Sequence, residues 1–141
     1  MALTHEKADR CIGIVGGGNA GHRLFHLLNR SRLARPVFVV DPQHDAPAIL
    51  AAREAGIPTF TEVSTAVRNS RADIVFELVG RPEVTEQLRE SAQTSNIRVV
   101  DHDVAYSILA VTEEDRQRTR DEVAGEITLI EREMRQSLDG S

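Results

Sequence analysis

The chain has 141 residues, of which 40% are hydrophobic, and its formal net charge is −5 at pH 7. This length allows one domain with a hydrophobic core plus a short appendage. The acidic balance and the scattered arginines argue against a nucleic-acid-binding surface. The sequence also lacks an apolar stretch long enough to cross a bilayer, so we do not expect a membrane protein.

Two residue types that occur once narrow the chemistry further. Lys7 is the single lysine, which leaves little basis for Schiff-base or lysine general-base catalysis. Cys11 is the single cysteine, so no intrachain disulfide can form, and its place at the start of an apolar run favours core filler over a reactive thiol. Because no signal peptide is evident, we expect a cytoplasmic protein.

The most informative pattern is an apolar run over 12–15, followed by glycines and then by apolar residues at helical spacing. It predicts strand, tight turn and helix. Gly16, Gly18 and Gly21 have the G-x-G-x-x-G spacing of dinucleotide-binding turns. Gly16 would let the chain leave the strand, Gly18 would let the backbone approach a pyrophosphate, and Gly21 would let the helix lie close to the strand. The helix start would offer N–H groups to the phosphates.

A second apolar run over 37–40 ends in Asp41, about 20 residues after Gly21. An acid at this place accepts hydrogen bonds from the adenosine ribose hydroxyls of NAD and would repel the 2′-phosphate of NADP. The alternative is that Asp41 only caps the next element before Pro42.

Further along the chain, strand and helix patterns keep alternating, which predicts an α/β fold with a doubly wound parallel sheet of about five strands. Ligands of such sheets bind beyond the carboxyl ends of the strands, where the strand order reverses. Gly80 and the group at 101–103 are expected at that edge, together with the glycine turn and Asp41. The remaining predicted helices run from Pro47 to before Gly56, over 62–69 and over 82–93, and a long C-terminal helix begins over 104–111. The remaining predicted strands are 57–60, 73–79 and 97–100, and the run over 73–79 is apolar on both faces except for Glu77.

We predict three segments: a flexible N-terminus over 1–9, a dinucleotide-binding domain over 10–111, and a charged amphipathic helix over 112–141. Along that helix the apolar residues Val123, Ile127, Ile130 and Met134 are spaced 4, 3 and 4 apart, which forms a coiled-coil seam of about two heptads. A charged helix with one apolar stripe needs a surface to cover it, so we expect a homodimer. The alternatives are that this helix packs on the dinucleotide-binding domain of its own chain, or that it continues as a parallel signalling helix.

The histidines offer two candidate groups. His22 and His26 are four residues apart, but no Glu lies between them as in a zinc-protease helix, so no metal site is predicted. His22 would either contact the phosphates or lie on the surface. His102, between Asp101 and Asp103, would act as a general base, hydrogen-bond a nicotinamide ribose, or simply belong to a helix cap.

The segments IGIVGGGNAGHRLFHLL, FVVD, AREAGIPTFTEV, ADIVFELVGRPEV and VVDHD together resemble the N-terminal NAD-binding domain of the glucose–fructose oxidoreductase, homoserine and aspartate dehydrogenase group. They are more closely similar to the stand-alone Rossmann modules at the N-terminus of bacterial sensor-kinase proteins. The resemblance spans 12–111. It implies that the pyrophosphate contacts Gly16, Gly18, Asn19, Ala20 and Gly21, that the adenosine ribose contacts Asp41, and that the nicotinamide half contacts Val79 and Gly80.

The chain departs from that group after the fifth strand, where the oxidoreductases place a Lys-Pro pair or a comparable element and then a substrate domain. Here Asp101 and His102 are followed by a helix. The resemblance therefore implies an NAD(H)-binding module with a sensing or regulatory role and no catalytic residue. The alternatives are a small NAD-dependent oxidoreductase completed across a dimer with His102 as its acid or base, and a ligand-free interaction module. A methyltransferase is a more distant option.

Overall fold

The computed structural model describes residues 10–139, and these divide into two compact units, one ending at Leu109 and the other starting at Ala110. The predicted flexible N-terminus over 1–9 lies outside the described residues. The predicted domain boundary after residue 111 falls two residues beyond this division, inside a helix.

The first unit alternates strands and helices along the chain, as predicted. Its elements are β1 (Arg10–Val15), α1 (Asn19–Arg30), β2 (Ala34–Val40), α2 (Pro47–Glu54), β3 (Thr59–Phe60), α3 (Val63–Arg68), β4 (Ile74–Glu77), α4 (Pro82–Gln93), β5 (Arg98–Val100) and the start of α5 (His102–Asp139).

The five strands form one parallel sheet in the order β3-β2-β1-β4-β5. The order reverses between β1 and β4, where the chain switches from building one side of the sheet to building the other. The prediction of an α/β doubly wound sheet with its switch point between the first and fourth strands is confirmed. The predicted site edge is therefore a crevice between the strand ends of β1 and β4.

Two apolar layers cover the sheet. On one face, β1 packs against α1, α2 and the first turns of α5, through buried residues such as Phe25, Ile49 and Leu109. On the other face, Phe38 and Val75 pack with α3 and α4. Because both faces are covered, the buried residues of the central strands are nearly all apolar, as parallel strands require. Glu77 is the exception and lies at the end of β4.

The structure corrects several predicted boundaries. The fourth strand ends at Glu77 instead of residue 79. Leu78 N–H still donates to the Val15 carbonyl of β1, but the N–H groups of Val79 and Gly80 donate to the Glu77 side chain and not to a neighbouring strand. The third strand is only Thr59–Phe60, after Pro58. The predicted long C-terminal helix is confirmed, and it is continuous with the helix predicted to begin at Val104, since no proline interrupts it and Gly125 alone does not end it.

The second unit consists of the rest of α5. Its surface is rich in charge, and pairs such as Arg118 with Glu114 (3.1 Å) support the helix locally by about 0.3 kcal/mol each. The four seam residues are roughly half exposed within this unit, from 48% for Val123 to 61% for Met134. No described helix is long and apolar enough to cross a membrane.

Candidate functional site

The site is built on three strand ends that stop at the same level. Val15, the last residue of β1, pairs with Val40 on one side and with Glu77 on the other. The next residues of the three strands therefore emerge side by side. Backbone hydrogen bonds continue past the strands, from Gly16 N to the Val40 carbonyl and from Leu78 N to the Val15 carbonyl, both 2.8 Å long. The three loops are thus fixed relative to one another by backbone contacts.

The glycine turn between β1 and α1 has the conformations predicted from its spacing. Gly16 has a φ of +117°, which side-chain-bearing residues rarely adopt. An ideal Cβ on Gly21 would overlap the carbonyl oxygen of Gly16, so the helix lies against the turn as closely as the backbone allows. A Cβ on Gly18 would meet nothing within 4 Å. Two glycines are therefore required by the protein itself, whereas Gly18 leaves open space.

The start of α1 faces this open space without a capping side chain. Its N-cap residue is Gly18, and the helix has no side-chain cap hydrogen bond. The first turn contains Asn19 and Ala20, and it carries no acidic side chain. The first N–H groups of a helix need partners from outside the helix, and the dipole favours an anion there. This arrangement suits a phosphate group.

Asp41 lies directly beside the turn. One carboxylate oxygen, Oδ2, accepts the Gly17 N–H at 2.8 Å, and the other, Oδ1, accepts the Gln43 N–H at 2.9 Å. An ionised carboxylate offers about four lone-pair positions, so each oxygen can still accept a hydroxyl. Asp41 does not cap α2, whose N-cap is Ala46 without a side-chain hydrogen bond. Its side chain is instead held at the end of β2 by two backbone amides.

Gly17 was missed by the sequence analysis, although it contacts Asp41 more closely than the motif glycines do. A Cβ on Gly17 would lie 2.9 Å from the Asp41 Cβ and 3.1 Å from that of Ala46. The run of three glycines at 16–18 was the available signal, because the motif itself explains only two of them.

The loop after β4 forms the other wall. It brings Val79, which is 36% exposed, to the glycine turn, where a Cβ on Gly16 would lie 3.3 Å from the Val79 Cγ2. Gly80 has a φ of +77°. The Glu77 side chain fixes this loop by accepting the N–H groups of Val79 and Gly80. Sequence analysis noted Glu77 only as an interruption of an apolar run.

Residues 101–103 cap the start of α5 and place a histidine ring beside the loop after β4. Asp101 Oδ1 accepts the Val104 N–H at 3.2 Å, so the cap interpretation is confirmed for Asp101. The His102 ring lies over Gly80, where a Cβ would come within 2.8 Å of its Nε2, and it stacks on Tyr106 at 4.4 Å between ring centroids. Asp103 Oδ1 is 3.5 Å from the His102 Nδ1. His102 therefore lies at the predicted edge, next to the loop after β4.

A cleft of about 690 Å³ opens between the end of β2 and α4. Its lining includes Asp41, Val79, Gln87 and Glu90. This volume is within the range of small-molecule and cofactor pockets. Asp41 and Val79 thus line one cleft, whereas residues 16–21 and Gly80 are not among its lining residues.

The histidine pair His22 and His26 does not line this cleft. His22 and His26 hydrogen-bond each other through their Nε2 atoms, 3.0 Å apart, and the two rings meet edge to face. Among residues 10–139 no cluster of three or more His, Cys, Asp or Glu side chains is placed to hold a metal ion. Cys11 is half-buried at the start of β1, at the opposite end of that strand from the glycine turn.

Comparison with solved structures finds a similar fold within several larger dehydrogenases. Scyllo-inositol dehydrogenase from Lactobacillus casei, solved with bound NAD(H) and scyllo-inositol, is 24% identical with a TM-score of 0.54 over 66% of this chain and 27% of its own. An oxidoreductase from Agrobacterium radiobacter, solved with NAD⁺, L-tartaric acid and magnesium, is 14% identical with a TM-score of 0.54, over 64% of this chain and 26% of its own.

Homoserine dehydrogenase from Thiobacillus denitrificans is 24% identical with a TM-score of 0.53, over 66% of this chain and 23% of its own. No protein-family model and no curated protein matches the chain. At these identities the likeness establishes a Rossmann-like fold. The chain spans about a quarter of the length of these dehydrogenases.

Proposed function

We propose that this chain binds NAD(H) in its first unit and uses the bound dinucleotide for sensing or regulation. The observation that carries the proposal is the Asp41 carboxylate, which two backbone amides hold beside the glycine turn with lone pairs to spare. The adenosine ribose would donate its hydroxyls to Asp41. The pyrophosphate would lie over Gly18 against the start of α1, and the nicotinamide half would contact Val79 and Gly80.

The same geometry favours NAD(H) over NADP(H). A 2′-phosphate on the ribose would meet the Asp41 carboxylate, and two anions at hydrogen-bond distance repel each other strongly. Among the other nucleotide cofactors, S-adenosylmethionine carries no pyrophosphate, so it would leave the start of α1 without its anion. The cleft thus suits a dinucleotide with free ribose hydroxyls.

A regulatory role is supported by what lies next to the proposed nicotinamide position. His102, whose ring lies over Gly80, is the first residue of α5, the helix that continues through the second unit. A ligand that moves the loop at Gly80 would therefore act on the His102 side chain, at the start of α5. Sensing further requires that two ligand states bind with different affinities or favour different helix arrangements, because a ligand bound equally in both states shifts no equilibrium.

The proposal is tested by thermal melting of the wild type and of Asp41→Ala with NAD⁺, NADH, NADP⁺, NADPH and S-adenosylmethionine. At a hundredfold excess over Kd, a ligand stabilises the folded state by about 2.7 kcal/mol, a shift of several degrees. We expect NAD(H) to produce this shift in the wild type. Loss of two charge-assisted hydrogen bonds in Asp41→Ala should weaken NAD binding about tenfold or more.

Asp41→Ala also loses the bonds to Gly17 and Gln43, so its unliganded midpoint is expected to fall. The ligand-induced shift, and not the midpoint itself, is therefore the quantity compared. Asp41→Asn serves as the matched variant, since it keeps an acceptor oxygen but removes the charge and should tolerate NADP(H) better. If no dinucleotide shifts the wild type, the proposal is wrong and an interaction module becomes the better hypothesis.

One observation favours a second candidate, a small oxidoreductase completed across a dimer. His102 lies beside Gly80, where an acid or base would be needed near the nicotinamide ring. Turnover of NADH with a panel of carbonyl acceptors, abolished in His102→Ala but retained in His44→Ala, would support it. His44 is the control because it lies in the loop after β2, away from the proposed nicotinamide loop.

We further propose that the seam formed by Val123, Ile127, Ile130 and Met134 mediates a homodimer. These side chains lie on one face of the helix, and an exposed apolar stripe gains free energy when a second copy covers it. Glu126, Glu131 and Glu133 flank the seam. In a homodimer these glutamates would face one another, so association should be modest and should strengthen as added salt screens them.

We expect Ile130→Asp to convert the dimer to a monomer, because a charge in the seam would have to be desolvated on association. Leu129→Asp is the matched control, since Leu129 is the adjacent residue, equally exposed (53% against 55%), and lies off the seam. Light scattering across a concentration series measures both variants. A wild type that stays monomeric at all concentrations, or equal behaviour of the two variants, would contradict the seam as the dimer contact.

A further inference from the structure

Glu77 is the one polar or charged side chain that is fully buried among the residues whose exposure the structure describes. It is the last residue of β4, and its exposed fraction is 0%. Burying a carboxylate is costly unless hydrogen bonds replace the lost water. The hydrogen-bond donors around the Glu77 carboxylate must therefore offset this cost.

Three donors contact the carboxylate. Its Oε1 accepts the N–H groups of Val79 (2.6 Å) and Gly80 (2.7 Å), and its Oε2 accepts the Thr85 hydroxyl at 3.0 Å. All three donors are uncharged, so they satisfy the oxygens without cancelling the negative charge. The two backbone N–H groups can only donate, whereas the Thr85 hydroxyl also lies 3.1 Å from the Arg81 carbonyl oxygen. The loop after β4 is thus wrapped around a fixed anion.

Glu77 does not line the cleft itself, but its Oε1 accepts the N–H of Val79, which does. The two residues whose N–H groups bind it, Val79 and Gly80, are those proposed to contact the nicotinamide half. The loop also packs against the glycine turn, since a Cβ on Gly16 would lie 3.2 Å from the Leu78 Cβ. The loop therefore separates the carboxylate from the position proposed for the nicotinamide half.

The two redox states of the ligand differ in charge at this end. The nicotinamide ring of NAD⁺ carries a positive charge, and uptake of a hydride, two electrons and a proton, makes the ring of NADH neutral. The adenosine and pyrophosphate parts are the same in both. A fixed negative charge at low dielectric stabilises a nearby cation, and it has no comparable attraction for a neutral ring.

We propose that Glu77 makes this site prefer NAD⁺ over NADH, through its buried negative charge beneath the loop that faces the nicotinamide ring. The inference rests on the proposed function and supplies what sensing requires, namely different affinities for two ligand states. Glu77 is a positioning residue for the loop as well, so the test must separate its charge from its hydrogen bonds.

The experiment is calorimetric titration of the whole chain with NAD⁺, NADH and ADP-ribose, which lacks the nicotinamide. We expect the wild type to bind NAD⁺ about tenfold more tightly than NADH, which equals about 1.4 kcal/mol. Glu77→Gln keeps the shape and removes the charge, so the ratio should approach one while the affinity for ADP-ribose stays unchanged. Thr85→Val removes one hydrogen bond and keeps the charge, so the ratio should be retained.

Binding of NAD⁺ and ADP-ribose by the wild type tests the proposed function, whereas only the ratio of NAD⁺ to NADH tests the role of Glu77. A wild type that binds NADH as tightly as NAD⁺ overturns the inference whatever the variants do. A tenfold ratio that persists in Glu77→Gln overturns it as well. If Glu77→Gln does not fold, the wild-type ratio decides, and if none of the three ligands binds, both proposals fall.

Discussion

Replacement of Gly21 by alanine should destabilise the first unit by about 3 kcal/mol or more, the range of severe overpacking. A Cβ at this position would overlap the backbone carbonyl oxygen of Gly16, and a backbone atom cannot rotate away as a side chain would. Gly16 itself is held by its hydrogen bond to the Val40 carbonyl. The steric cost must also exceed the roughly 1 kcal/mol that alanine gains over glycine inside a helix.

Urea unfolding measures this loss, and a midpoint that falls with an unchanged slope would show that stability alone has changed. For a chain of this size, 3 kcal/mol corresponds to a fall in Tm of roughly 10 °C. Stability equal to the wild type would show that α1 can move away from the turn. The close approach of the helix would then not be a requirement of the fold.

Gly18→Ala should have the opposite profile, with unchanged stability and about a hundredfold weaker binding of NAD(H), or about 2.7 kcal/mol. The backbone at Gly18, with φ −73° and ψ −157°, is extended and open to alanine, and the new Cβ would meet no protein atom within 4 Å. The methyl group would instead fill the space where the pyrophosphate approaches the backbone in the proposed complex.

The two variants control for each other, because both place one methyl group in the same turn. Urea unfolding should show a loss of stability for Gly21→Ala alone, and NAD(H) titration should show a loss of affinity for Gly18→Ala with its stability unchanged. Gly18→Ala binding NAD(H) like the wild type would show that the pyrophosphate does not lie over this residue. It would leave the fold untouched and would count against the proposed position of the ligand.

Much of the first unit could be predicted because local patterns and the rules of parallel sheets agree. Apolar runs of four residues separated by helical periodicity permit few topologies, and right-handed crossovers with short connections reduce these to the doubly wound sheet. Pro47 and Pro82 mark the helix starts correctly because proline suits a first helical turn. The strand ends were less accurate, since loops that continue a strand's hydrogen bonds resemble strands in sequence.

Within the candidate site, the motif residues were predictable and their supports were not. Asp41 was found by its distance from the glycines, and the structure holds it beside Gly17. Glu77 was read as a flaw in an apolar strand, because a single acid in a buried run carries no sign of which N–H groups will turn toward it. Its partners, two loop amides and Thr85, become visible only when the loop after β4 is folded.

The sequence by itself determined the fold class, the place of the glycine turn and the acid at the end of the second strand, since each depends on spacing along the chain. The tertiary structure alone decided that Glu77 is a buried anion beneath the loop after β4 and that the His102 ring lies over Gly80. The first fact depends on how the loop after β4 folds back on Glu77, and the second on the contact between that loop and the start of α5. Burial and hydrogen bonding there are set by neighbouring loops in space, which spacing along one chain does not specify.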